Sequence, residues 1–381
     1  MKVEHHTGRG SLIMKKLKVG VIFGGKSAEH EVSLQSAKNI VEAMDKEKYE
    51  AVLIGIDKSG KWHLNNQSSY LINAENPKLI QLNKSNDHVA IVPGEADNQL
   101  IHAAGGGVLE QLDVIFPIVH GTLGEDGSLQ GMLRIANLPY VGPDVLSSSI
   151  CMDKDIAKRL MSGAGINVAK GTAFTFAQRD DINYKELTNE LGSSLFIKPA
   201  NQGSSVGVSK VSSKEEFDKA VDRAFEYDHK IVIEETLVGR EIEFSVLGNE
   251  EPKASLPGEI LPKTEFYSYE SKYIDEEGAE LAVPAELSEE TTQRMQDVAV
   301  NAFKTLQCEG LARVDFFLTE EGEIYVNEVN TLPGFTKISM YPKLWEVSGI
   351  EYTDLISKLI ELAIARYERQ EKLKSSVWDE D

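Results

Sequence analysis

The sequence predicts a multidomain protein of α/β and α+β character, with a parallel-sheet unit at the N-terminus and α+β modules after it. Three observations carry this. The chain opens in strand-helix-strand order, its second half alternates helical segments with hairpin-like runs of β-formers, and 381 residues suffice for two or three cores.

Leu17 to Phe23 reads as a strand whose Val21, Ile22 and Phe23 are of the kind buried in a parallel sheet. A glycine-polar loop leads to a helix from about Glu29 to Met44 and a strand at Ala51 to Ile56. Residues 64–110 are mixed and polar. Asp113 to Val119 reads as another buried strand, running into His120-Gly-Thr-Leu-Gly-Glu-Asp-Gly127, and Ser128 to Ala136 has helical spacing. One helix is expected from Ser147, through Met152-Asp-Lys154, to Gly163. Thr172 to Phe176, Leu195 to Pro199 and the run reaching Val211 read as strands, with helices at Tyr184 to Leu191 and Lys214 to Tyr227. Further strands are expected at Ile231 to Glu235, Glu241 to Leu247 and Ala254 to Leu261, then a long polar loop at 262–280 that has the character of a lid. Ser288 to Leu306 and Tyr352 to Gln370 are the last helices. The polar stretch 1–13 is set aside as a leader. This gives domains at 14–150, 151–233 and 234–381.

The net charge of −21, from 40 basic and 61 acidic residues, argues against a nucleic-acid partner or an anionic membrane surface. Any anionic ligand must be met by a local basic pocket. Cys151 and Cys308 lack metal spacing and read as small buried hydrophobes in a reducing, cytoplasmic setting. No run has the ~18 apolar residues of a membrane span.

The richest stretch is Leu311 to Leu318 with Glu323 to Val329. Thr319-Glu-Glu-Gly322 between them signals an antiparallel hairpin. Glu328 and Asn330, two apart, share a strand face, and Asp315 on the partner strand can face them. Two carboxylates and an amide oxygen suit Mg²⁺ on a nucleotide; a solvated acidic hairpin is the plain alternative. Arg313 shares the face of Asp315, and the segment ending at Gly334 turns sharply enough to expose a backbone N–H.

Gly20 to Ser27 matches the phosphate-loop pattern GxxxxGK[ST]. It is expected to be a decoy, because Val21 to Phe23 complete a buried strand and cannot curl around phosphate. Gly203-Ser-Ser-Val-Gly207, with Lys198 upstream, is the better phosphate cover, although serine-glycine hairpins are common. His120, at a strand end before a glycine loop, stands where α/β sheets place ligand contacts, or else is a core histidine. Glu125 and Asp126 read as helix-start charges.

Taken in order, Gly24 to Ser33, His120 to Gly127, Met152-Asp-Lys154, Ile197-Lys-Pro199, Gly203 to Gly207, Ser271-Lys-Tyr273, Ala312 to Asp315 and Asn327 to Gly334 resemble the D-alanine:D-alanine ligase family of the ATP-grasp superfamily. The likeness spans residues 16–370. It implies an ATP-grasp fold behind an N-terminal Rossmann-like domain, and ATP-dependent joining of two D-alanines through an acyl phosphate for peptidoglycan precursor.

By the same resemblance, Lys154, Lys198 and Lys272 contact phosphates beneath Gly203, Ser204 and Ser205. Glu234, Glu235 and Leu237 meet adenine and Glu241 the ribose. Asp315, Glu328 and Asn330 carry two Mg²⁺, for which Mn²⁺ can substitute, and a monovalent cation can activate. Glu29 holds the ammonium of the first D-alanine, with Arg313 and the Gly334 N–H as oxyanion donors; Ser339 binds the second carboxylate, and His120, Met340 and Arg313 also bind substrate. Ser204 and Tyr273 join Glu29 in a latch closing the 262–280 loop. Tyr273 favours the dipeptide over the D-alanyl-D-lactate ester. Ester- or D-serine-forming relatives and a non-catalytic ATP-binding module are the alternatives. A cytoplasmic homodimer is expected, with D-alanine and ATP as its small-molecule partners.

Overall fold

A computed structural model describes residues 15–93, 99–105, 107–108, 111–262, 279–336 and 338–374. The leader 1–13 and residues 263–278, with Lys272 and Tyr273, lie outside those residues.

The N-terminal sheet is built around β1 (Leu17–Gly24), which pairs in parallel with β2 (Tyr49–Ile56) on one side and β8 (Val114–Ile118) on the other. The antiparallel strand β3 (Trp62–Asn65) closes one edge. Between β3 and β8 lie two small ribbons, β4 (Leu71–Ile72) with β5 (Gln81–Leu82) and β6 (Val89–Ile91) with β7 (Leu100–His102). Residues 18–24 of β1 are all buried, because both faces of the sheet are covered. On one face Val19, Val21 and Phe23 meet α1 (His30–Ala43); on the other Ile22, Ile54 and Ile115 meet α2 (Ser128–Ile135). Gly20 lies within β1 and Lys26 is exposed, so the first glycine of the phosphate-loop pattern stands in a strand and not in a loop.

After α3 (Val145–Met152) and α4 (Lys154–Gly163) comes an antiparallel sheet in the order β11-β10-β12-β9. Its strands are β9 (Gly171–Thr175), β10 (Leu195–Pro199), β11 (Ser209–Val211) and β12 (Lys230–Glu235). Leu195, Ile197, Ile231 and Ile233 face α5 (Tyr184–Leu191) and α6 (Lys214–Phe225). The alternate residues, Phe196, Lys198, Val232 and Glu234, form the opposite face.

The third sheet runs β16-β15-β13-β17-β18, with β14 (Lys253–Ala254) beside β13. Here β13 is Arg240–Gly248, β15 Gly258–Pro262, β16 Ala279–Ala282, β17 Gly310–Leu318 and β18 Ile324–Asn330. Ile242, Phe244, Val246, Ala312, Val314 and Phe316 pack on α7 (Glu289–Thr305), leaving the intervening polar residues on the other face. Two helices end the chain, α8 (Met340–Val347) and α9 (Tyr352–Glu371). The last returns to the first sheet: Leu355, Ile356, Leu359 and Ile360 are fully buried in the core of β1 and β8. At about 1.5–3 kcal/mol each they contribute roughly 6–12 kcal/mol of gross apolar transfer. Buried Arg366 donates to the Gly142 and Tyr140 carbonyls, the latter at 2.7 Å, and lies 4.6 Å over the Tyr140 ring.

Two expectations need correction. The helix foreseen from Ser147 to Gly163 breaks at Asp153, whose side chain accepts from Ile156 N and caps a new helix at Lys154. The strand foreseen from Ala254 to Leu261 is two strands, since Pro257 has no N–H to give a ladder. Helix α8 was not foreseen. Cys151 and Cys308 are buried, as expected, with their sulfurs 3.6 Å apart.

Candidate active site

The polar face of the hairpin supplies the chemistry. Arg313 pairs with Asn330 and Asp315 with Glu328 in the β17–β18 register, which then slips between Asp315 and Phe316. The slip leaves Asn327 as an extra residue. It lets Val326 and Val329, three apart, both face the core while Glu328 and Asn330 stay on the cleft side. Arg313 grips Asp315 with Nε and Nη2, each at 2.7 Å, and its Nε lies 3.0 Å from Glu243 on β13. Asn330 Nδ2 donates to Asp315 at 2.9 Å. Two carboxylates and an amide oxygen on adjoining positions are a hard-oxygen set that fits Mg²⁺. Among the described residues no group of three His, Cys, Asp or Glu closes on a metal, so phosphate and water would complete the shell.

Facing this sheet are the lysines. Lys154, at the start of α4, donates to the Gln202 carbonyl at 2.7 Å and stands 3.5 Å from Glu328. Lys198 Nζ lies 2.8 Å from Glu234, whose other oxygen is bound to Lys158. Burial would raise the Glu234 carboxyl, but the two lysines outweigh it and hold it down to about 2. They share it unequally. Burial works against Lys198, yet Glu234 lifts its pKa above the usual value, whereas burial prevails at Lys158 and lowers it to about 8. Glu235 accepts from Lys170 N at 2.8 Å, Leu237 is half-buried beyond the end of β12, and Glu241 shares the cleft side of β13 with Glu243.

Glu29 enters from the N-terminal unit and is hydrogen-bonded by Ser204 Oγ. Small residues let it in: a Cβ on Gly121, whose φ is +75°, would meet Glu29 Oε2 at 2.6 Å, and one on Gly203 at 3.2 Å. Ser204 and Ser205 have φ of 52° and 60°, a left-handed conformation that costs side-chain-bearing residues energy and is kept where surroundings impose it.

The wall opposite is Leu332 to Thr336 with Ile338 and Ser339. His120 is buried; its Nδ1 bonds the Leu332 carbonyl at 2.9 Å and its Nε2 the Ser36 hydroxyl at 3.1 Å, which accepts from Phe335 N. Burial lowers its pKa, keeping a neutral ring that donates through Nδ1. Gly334, Ser339 and Met340 line the same pocket as Glu29 and Arg313. Ser339 Oγ lies 2.8 Å from Thr336 Oγ1, and Ser339 is the N-cap of α8, whose free N–H groups favour an anion.

Of the residues singled out in the sequence, the structure thus brings Glu29, His120, Gly203, Ser204, Arg313, Glu328, Asn330, Gly334, Ser339 and Met340 to one pocket. Glu125 and Glu243 were missed. Glu125, taken for a helix-start charge, instead lines the pocket and accepts from Gly121 N at 2.6 Å and Leu332 N at 3.2 Å. Burial and the charge of Glu29 push its carboxyl up to about 8. The alternation of Glu241 and Glu243 along one strand was the available signal for the second.

Known proteins match this architecture. The family described as D-ala D-ala ligase N-terminus matches residues 18–143, and that described as D-ala D-ala ligase C-terminus matches 160–361. The chain is 65% identical over 366 residues to the D-alanine–D-alanine ligase of Shouchella clausii (strain KSM-K16), a match covering 96% of this chain and 100% of that one. The VanG D-Ala:D-Ser ligase structure from Enterococcus faecalis superposes with a TM-score of 0.81 at 38% identity, covering 92% of this chain and 100% of that one. The Bacillus anthracis D-alanine–D-alanine ligase complexed with ATP gives 0.69 at 29%, covering 93% and 99%. The chain belongs to the D-alanine–D-alanine ligase family.

Proposed function

We propose that this chain joins two D-alanines to D-alanyl-D-alanine, converting ATP to ADP and phosphate. The observation that carries the reading is Lys154, set between the Gln202 carbonyl of the glycine-serine loop and Glu328 of the acidic hairpin. A phosphate chain between those elements meets cations from one sheet and oxygen donors from the other. Bound at Asp315, Glu328 and Asn330, Mg²⁺ would supply charge neutralisation for the transferring phosphoryl group.

The chain's residues divide the remaining work. Lys154 and Lys198 hold the phosphates, with Gly203, Ser204 and Ser205 above them; Glu234, Glu235, Leu237 and Glu241 border the nucleoside. Glu29 takes the ammonium of the first D-alanine, whose carboxylate attacks the terminal phosphorus as ADP leaves. Arg313 and Gly334 N–H then receive the oxyanion when the second amine adds to the acyl carbon and phosphate departs. Ser339 and Met340, at the N-terminus of α8, receive the second carboxylate. The Glu29–Ser204 contact closes the pocket over the acyl phosphate, which water would otherwise hydrolyse. Lys272 and Tyr273 complete the phosphate site and latch by resemblance alone. A homodimer is carried over in the same way, while domains at 14–150, 151–233 and 234–381 and a cytoplasmic setting rest on the sequence pattern and the resemblance together. No helix of the described residues is long and apolar enough to cross a membrane.

The test is phosphate release from ATP and Mg²⁺ with D-alanine, L-alanine, or D-alanine plus D-lactate or D-serine, with products identified by mass. Release that needs D-alanine and yields the dipeptide is expected. A mixed D-serine or D-lactate product in preference would move the reading to those ligases, and no D-alanine-dependent release would overturn it.

A further inference from the structure

We propose that Lys158 is a positioning residue of the nucleotide site: it holds one oxygen of Glu234 so that Lys198 is set on the other, while the cluster keeps an excess positive charge for a polyphosphate. The inference rests on the ATP site proposed above and adds to it a residue outside the motifs that carry the family resemblance.

Lys154 and Lys158 are one turn apart on α4 and so share a helix face. Lys154 reaches the glycine-serine loop and the acidic hairpin; Lys158 reaches Glu234. The same helix is tied to the other end of β12, where Lys230 lies 2.5 Å from Asp153 and 3.2 Å from Asp155. Opposite charges at the two ends of one strand therefore set how far α4 slides along it, and with that the place of Lys154.

The charge count points beyond a structural tie. Glu234 is 1% exposed and Lys158 8%, so both are removed from water. A single Lys198–Glu234 pair would already be neutral. A second ammonium on the same carboxylate is a costly way to fasten a helix, because burial disfavours its charge, and apolar residues of similar volume do that as well or better. What the second lysine adds is one further positive charge on the cleft side of the central sheet, where Glu241 and Glu328 already draw on Lys198. Without it Glu234 falls wholly to Lys198, and the neutral pair draws less on a phosphate.

The experiment compares wild type with Lys158→Met, Lys158→Gln and Lys158→Arg. ATP binding with Mg²⁺ is measured by calorimetry in the absence of D-alanine, KM by phosphate release, and folding by thermal unfolding. Lys158→Gln keeps a hydrogen bond to Glu234 and decides the matter should Lys158→Met fail to fold. The expected result is ATP binding weakened about tenfold or more on loss of one charge in a partly dry site, an unmoved KM for D-alanine, and recovery in Lys158→Arg. Unchanged ATP binding in Lys158→Gln, or KM for D-alanine rising in step with that for ATP, overturns the assignment. Wild-type protein that binds no ATP would instead remove the ligase reading beneath it.

Discussion

Loss of Arg313 should touch both fold and chemistry, by amounts that two assays read apart. Its guanidinium lies between Asp315, gripped at 2.7 Å through two nitrogens, and Glu243 at 3.0 Å, and those carboxylates are register partners on neighbouring strands. In Arg313→Ala they face each other at a cross-strand separation of about 5 Å, where an effective dielectric near 20 gives a repulsion of about 3 kcal/mol. The side chains of Glu243 and Asp315 are only 6% and 13% exposed, so water relieves little of it. The fold should therefore lose on the order of 3 kcal/mol, or take up a proton. Turnover should fall further than stability explains, by about 10²- to 10³-fold, the cost of one oxyanion donor. Arg313→Lys restores a charge but not the two-pronged grip, and should recover stability better than kcat. Urea unfolding and initial-rate phosphate release at saturating D-alanine and ATP read the two effects separately. A folded Arg313→Ala protein with kcat within about fivefold of wild type would refute the oxyanion role.

Glu328→Gln removes one charged oxygen from the metal donors and should raise the Mg²⁺ concentration for half-maximal rate; an unchanged titration removes Glu328 from that set. Lys26 is exposed beyond a buried strand, so Lys26→Ala should keep full activity, and a large loss would revive the phosphate-loop pattern. Glu125 gives a pH signature. Its carboxyl, raised from 4.5 to about 8, keeps in the folded chain a proton that the unfolded chain has already released between those values. The native state binds more protons there, so its stability falls as pH rises from 4.5 to 8. Glu125→Gln lacks that slope, and the difference in unfolding midpoint, variant minus wild type, should grow from pH 5 to pH 8; a flat difference would show that Glu125 does not titrate this way.

Local pattern made the strands and the hairpin legible. The unbroken apolar run before Gly24 was enough to tell a buried strand from a phosphate loop, and Thr319 to Gly322 was enough to pair β17 with β18. The slip at Asn327 was not legible, because the cleft-facing spacing of Glu328 and Asn330 reads the same with or without it. Nor was α8, whose Pro342 resembles a breaker although the first turn tolerates it. The roles of Lys158, Glu125 and Glu243 are non-local. Each depends on a partner from another strand, helix or loop, and no spacing within one segment announces a contact between Lys158 and Glu234, 76 residues on. The resemblance reached residues that local pattern alone would not, such as Glu29 and Ser339.

The return of α9 to the first sheet has a consequence for biosynthesis. Strands β1 and β8 are made well before Leu355, Ile356, Leu359 and Ile360, which join α1 in their shared core and lie about 240 residues beyond β8 in the chain. At about 5–20 residues per second that core waits roughly 12–50 s for its last helix. The wall that carries Gly334 hangs from α1, through Ser36 and Asn39, and from α9, through Tyr352, with Asn39 and Tyr352 both bonded to the Phe335 carbonyl. A nascent chain is therefore sticky before it is competent, and the reaction pocket is complete only once α8 and α9 are made.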